Sequence, residues 1–86
     1  MEMRLKVLIV DDELPIRREL GSMDLENHGY EIVGEAANGE TALKLCRQLQ
    51  PDIVITDITM PVMDGLTLIE NLQKFMPLVK YILLTC

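Results

Sequence analysis

The chain has 86 residues, 49% of them apolar, and its 14 acidic against 8 basic side chains leave a formal net charge of −6. That length suits one small domain, residues 1–86, burying only about 60–65% of the surface its unfolded chain exposes. The acidic balance and scattered basic residues argue against nucleic-acid binding by this segment, because phosphate contacts need clustered Lys and Arg.

The first predicted element is a strand over Leu5–Val10, apolar except for Lys6. Asp12 is placed to cap a helix whose first turn holds Pro15, where a missing N–H does no harm. Ile16, Leu20 and Met23 fall at i, i+4 and i+7 as one apolar stripe, and Asn27-His28-Gly29 is expected to end that helix. Tyr30–Ala37 reads as a second strand and Asn38-Gly39 as a turn. A second helix follows over Thr41–Leu49, with Ala42, Leu45, Cys46 and Leu49 on one face. Pro51-Asp52 stops it, and Ile53–Thr56 is a third strand. The loop Asp57–Gly65 leads to a third helix, Leu66–Phe75, with Leu66, Ile69, Leu72 and Met76 as its apolar face. After Pro77, Val79–Thr85 is a fourth strand.

The order βαβαβαβ predicts an α/β fold, a parallel sheet with helices on both faces and right-handed crossovers. A flavodoxin-like strand order of 2-1-3-4 makes the first and third strands neighbours at a topological switch point, where ligands bind beyond the carboxyl ends of strands. Asp11 and Asp12 close the first strand and Asp57 closes the third. Adjacent strands lie about 4.8 Å apart, so the three carboxylates are expected together, a costly arrangement unless a cation relieves it. A hard divalent ion such as Mg²⁺ suits such oxygens. The sequence thus predicts an acidic metal site containing a candidate nucleophile, Asp57.

Taken singly, these residues are ordinary, since acidic pairs often cap helices and strand ends often carry Asp. The loop Asp57-Ile58-Thr59-Met60-Pro61-Val62-Met63-Asp64-Gly65 strengthens the reading. Pro61 stiffens it and biases Met60 to an extended conformation, which suits the Thr59 backbone carbonyl to a metal ion. Thr85, ending the fourth strand as Asp57 ends the third, places a hydroxyl within reach of whatever Asp57 carries. Cys46 reads as a small core residue, and Cys86 is terminal. His28, the only histidine, is expected to be exposed and without a chemical role.

Together, Asp11-Asp12, Asp57 with Met60-Pro61 and Asp64-Gly65, and Thr85 resemble the receiver domain of two-component response regulators, in order along the whole chain. The Asn38-Gly39-Glu40 turn and Pro51-Asp52 also look typical of receivers. The resemblance implies that Asp57 is the phospho-acceptor and Asp12 a direct Mg²⁺ ligand. It implies that Asp11 is a second acidic residue acting through water, the Thr59 carbonyl a further ligand, and Thr85 the switch hydroxyl. It further implies a sensor histidine kinase as donor and an effector beyond residue 86, expected to be a DNA-binding transcription regulator.

Receivers of this kind continue into a fifth strand ending in a lysine and further helices. This chain is therefore expected to be a shortened receiver, with self-association or segment exchange through an open fourth-strand edge. Lys80, at the far end of that strand, does not replace the lysine. A turnover phosphatase is disfavoured because such enzymes usually carry Asp-x-Asp after the first strand, and a pseudo-receiver without phosphorylation is disfavoured by the intact aspartates. No apolar run approaches the ~20 residues that span a bilayer, and the charged start Met1–Lys6 lacks the features of a signal peptide. The expected location is the cytoplasm.

Overall fold

The computed structural model describes residues 4–60 and 62–84. Its elements are β1 (Leu5–Val10), α1 (Leu14–Gly21), a 3₁₀ turn (Glu26–His28), β2 (Tyr30–Ala36), α2 (Gly39–Leu49), β3 (Ile53–Asp57), α3 (Gly65–Phe75) and β4 (Lys80–Leu84). The four strands form one parallel sheet in the expected flavodoxin-like order, β2-β1-β3-β4.

Successive strand residues point to opposite faces. Leu8, Val10 and Val54 point to the face covered by α2 and α3, where they pack with Ala42, Cys46, Leu68 and Leu72, all fully buried. That cluster is the core, and Cys46 is one of its members. Burial pushes the Cys46 thiol up to about 11. Val7 and Ile9 lie on the other face and are also buried.

β3 departs from the expectation of a sheet covered by helices on both faces, because Ile53 and Ile55 are only half-buried. With Val7, Leu25, Tyr30 and Ile82 they line an open apolar groove of about 230 Å³. Ile82 and Leu83 of the edge strand β4 are 47% and 39% exposed.

Helix boundaries also differ from the pattern. α1 stops at Gly21, where the Ser22 N–H donates to the Arg18 and Glu19 carbonyls and the Ser22 hydroxyl to Glu19 O. Met23, expected on the buried stripe, is therefore 56% exposed. The following turn has its own hydrogen bonds, with Asn27 Nδ2 on the Asp24 carboxylate at 2.9 Å and His28 Nδ1 against Asp24 O at 2.8 Å. Gly29 closes it at φ 86°, a left-handed conformation natural to glycine. In α3, Leu68 and Leu72 form the buried pair while Leu66 is 51% exposed. Leu72 was on the expected face, whose Ile69 and Met76 are half-buried; Leu66 alone turns outward and Leu68, at i−4 from Leu72, takes its place.

The pole opposite the strand carboxyl ends is tied together by Asp52. Its Oδ2 accepts the Lys6 N–H at 2.7 Å and its own N–H donates to Lys6 O at 2.8 Å. The Lys6 ammonium donates to Leu49 O at 3.0 Å, a cation at the negative end of α2. These contacts set the stagger in which Val7 faces Ile53 and Val10 faces Thr56, and so level the carboxyl ends of β1 and β3.

Candidate functional site

The parallel register carries β1 and β3 to the same edge, and their final residues bring Asp11, Asp12 and Asp57 together. Each contributes a carboxylate oxygen lying within 4.8 Å of the others. Asp11 is 4% exposed, Asp57 half-buried and Asp12 open to solvent.

Asp11 is anchored on three sides. Its N–H donates to Ala36 O of β2 at 3.0 Å, its carbonyl accepts from Arg17 Nη1 at 2.6 Å, and its Oδ1 accepts the Glu13 N–H at 2.8 Å. That last bond is an Asx turn, and it changes the expected start of α1. The residue capping α1 is Glu13, which makes no side-chain cap bond, because the loop is closed by Asp11. Asp12 is not the cap.

Asp57 ends β3 opposite Leu84. Its Oδ1 faces the Thr59 N–H at 3.4 Å, a long and weak contact. Its carbonyl accepts the buried Thr56 hydroxyl at 3.0 Å. The Gly65 N–H donates to Ile58 O at 2.8 Å, and this brings the start of α3 so close that a Cβ at Gly65 would overlap the Asp57 carbonyl. Asp64 caps α3 by accepting the Thr67 N–H at 2.8 Å, which holds its carboxyl below the usual carboxylate range. Asn38 caps α2 in the same way through the Thr41 N–H at 2.9 Å, so the expected turn residue is a helix cap. Val62, exposed in the same loop, sits at φ 71°. Thr85 and Pro61 lie outside the described residues.

The cluster offers hard oxygen donors alone, one of them solvent-facing. That donor set fits Mg²⁺, which keeps several waters and takes one or two carboxylates from the protein. Asp57, the half-buried member of this cluster, offers a carboxylate of the kind that acts as nucleophile in phosphoryl transfer.

Sequence reasoning missed Arg17 and Glu35. They form an ion pair, Nε to Oε1 at 3.3 Å, joining α1 to β2 beside Asp11. Their separation in sequence hides the pairing. The one available signal was a basic residue in the first turns of a helix that follows two aspartates.

The response regulator receiver domain model matches residues 7–86. The chain is 46% identical over 71 residues to a protein-glutamate methylesterase/protein-glutamine glutaminase of Syntrophomonas wolfei, covering 83% of this chain and 20% of that protein. Among solved structures, it resembles the REC domain of AraT, a response regulator from Geobacillus stearothermophilus. That match has a TM-score of 0.89 at 39% identity and covers 94% of this chain and 64% of that one. It also resembles a chain of the CheX-CheY-BeF3-Mg complex from Borrelia burgdorferi, with a TM-score of 0.85 at 35% identity over 94% of this chain and 61% of that one. The chain thus spans about a fifth of the methylesterase and under two thirds of either structure. Among the described residues, no helix is long and apolar enough to cross a membrane.

Proposed function

This chain belongs to the response regulator receiver domain family, and from that premise we propose that it accepts a phosphoryl group on Asp57 from a sensor histidine kinase. The observation that carries the reading is the convergence of Asp11, Asp12 and Asp57 oxygens within 4.8 Å at one sheet edge. Receiver domains are signalling domains that work with histidine kinases and effectors and generally bind Mg²⁺ at an acidic pocket, which the assignment of the three aspartates follows.

In the proposed reaction an Asp57 carboxylate oxygen attacks phosphorus in line. The P–N bond of a phosphohistidine breaks, and the imidazole leaves with the electron pair. Asp11, Asp12, Asp57 and the Thr59 carbonyl would hold Mg²⁺, which when bound supplies charge neutralisation to the loose transition state. The protein's part is chiefly positioning. The Asx turn aims Asp11, the Thr56 hydroxyl and Gly65 hold the Asp57 backbone, and the open side at Asp12 admits the donor.

Once attached, the group adds roughly −1.5 to −2 charges and three acceptor oxygens. The proposed readout is its capture by the Thr85 hydroxyl, biasing a two-state arrangement of the nearby loops. The effector in this reading is a DNA-binding transcription regulator in the same cytoplasmic polypeptide. The exposed β4 edge is proposed as the place where a second copy or an exchanged segment pairs.

The test is incubation with acetyl phosphate, with intact-mass detection and beryllofluoride titration. Mg²⁺-dependent modification that disappears in Asp57→Ala is the expected result. Modification that persists in Asp57→Ala would show that another residue is the acceptor.

A further inference from the structure

Three carboxylates gathered this closely repel one another, and two of them ride on one short loop between β1 and α1. A loop with so much like charge must be restrained against moving away from Asp57. Besides the Asp11 N–H bond to Ala36 O and the Asx turn to Glu13, one long side chain supplies that restraint. Arg17 Nη1 donates to the Asp11 carbonyl at 2.6 Å, and Arg17 Nε meets Glu35 Oε1 at 3.3 Å. The Arg17 side chain is only 15% exposed, although it belongs to a helix with no fully buried residue. Glu35 precedes Ala36, the residue whose carbonyl accepts the Asp11 N–H. Arg17 therefore closes a circuit from α1 through the end of β1 to the end of β2.

We infer that Arg17 is a positioning residue for the acidic site, with Glu35 as its brace, and that it sets the spacing of Asp11 and Asp12 relative to Asp57. An exposed ion pair would be worth little, but this guanidinium is largely desolvated and its shorter bond goes to the metal-site backbone. A charge-assisted bond to a carbonyl is about twice as strong as a neutral one. The planar fork serves two acceptors at once, which a lysine ammonium does less well. Arg17 acts on the carboxylates through the Asp11 backbone, so it corresponds to the outer shell that orients metal ligands.

The inference rests on the proposed Mg²⁺ site, and Mg²⁺ titration by calorimetry tests both. The double variant Arg17→Met with Glu35→Gln removes the circuit without changing net charge, and is expected to weaken Mg²⁺ binding about tenfold, the scale seen when outer-shell partners of metal ligands are lost. Arg17→Lys, which keeps the charge and one donor at a time, is expected to fall between, at about threefold. Labelling of Asp57 by acetyl phosphate should recover near the unsubstituted rate at saturating Mg²⁺, so the loss appears in half-saturation and not in the maximal rate. A double variant that melts earlier but keeps the unsubstituted Mg²⁺ constant would reduce Arg17 to a structural residue and overturn the inference alone. If the double variant does not fold, Arg17→Lys carries the test, and an unchanged constant there overturns it equally. Absence of saturable Mg²⁺ binding in the unsubstituted protein would overturn both the site and the role of Arg17.

Discussion

Met63 leans directly on Gly39. A Cβ at position 39 would lie 2.8 Å from Met63 Cβ and 2.9 Å from its carbonyl oxygen. The loop that follows Asp57 is thereby seated on the first residue of α2, and the same loop abuts the Asp57 carbonyl through Gly65. Two glycines thus fix the loop at both of its supports.

Alanine at either glycine is expected to be costly, but unequally. Gly39→Ala pushes on a methionine whose Cβ and backbone must both shift, at about 1–2 kcal/mol, whereas Gly65→Ala sets a methyl against a strand carbonyl with little room to move, at about 3 kcal/mol. Urea denaturation midpoints measure both. Acetyl phosphate labelling of the folded fraction is expected to fall further in Gly65→Ala, because only that substitution displaces the Asp57 backbone.

Val62 at φ 71° holds a β-branched side chain in the left-handed region. That conformation costs an L-residue about 1–2 kcal/mol, more for a branched one, while glycine adds about 0.5–1 kcal/mol of backbone entropy to lose. Val62 is 76% exposed, so little packing is forfeited on replacement. Val62→Gly is expected to stabilise the protein by about 1 kcal/mol, read as a higher melting temperature. A lower one would show that the loop does not hold this conformation in solution.

The two helix caps separate by charge. Asn38→Ala removes an uncharged cap and is expected to cost about 1 kcal/mol at neutral and acid pH alike. The Asp64 carboxyl is held below its ordinary value of 3.8 by the Thr67 N–H, so its contribution is present above that pH and declines as pH falls through the lowered value. Asp64→Ala should therefore destabilise more at pH 7 than at pH 2–3. Denaturant titrations of the two variants at both pH values give the comparison.

Cys46 works in the opposite direction. Its thiol ordinarily titrates near 9.0 and is pushed up to about 11 in the core, so the unfolded chain deprotonates first as pH rises. Folding stability is expected to be unaffected by this group below pH 9 and to fall by on the order of 2 kcal/mol by pH 11. Cys46→Ala should be less stable at pH 7, having lost core volume, yet should show a shallower decline between pH 9 and pH 11. Tyr81 is raised by burial and further by the Cys46 charge, so the difference between the two proteins reports Cys46 together with its coupling to Tyr81.

Much of the site was legible because strand ends are legible. Apolar runs stopping at Asp11 and Asp57 locate the carboxyl edge of a parallel sheet without any coordinates, whereas the adjacency of β1 and β3 came with the flavodoxin-like order, one of the orders such alternation allows. Helix limits were less legible. The stripe Ile16, Leu20, Met23 continued past the point where the Ser22 bonds end α1. The choice of Leu66 over Leu68 in α3 came from a period that cannot say which turn faces the core.

The sequence alone determined the order of elements, the parallel topology and the ending of two apolar strands at Asp11-Asp12 and Asp57, since each follows from local hydrophobic period and from where a strand stops. Only the tertiary structure decided that Asp11 and not Asp12 closes the loop before α1, and that Arg17 reaches both Asp11 and Glu35. It also decided that Met63 rests on Gly39 and that Ile53, Ile55 and Ile82 line an open groove. These relationships join residues far apart along the chain, so they depend on the register and packing of whole elements, which no local pattern encodes.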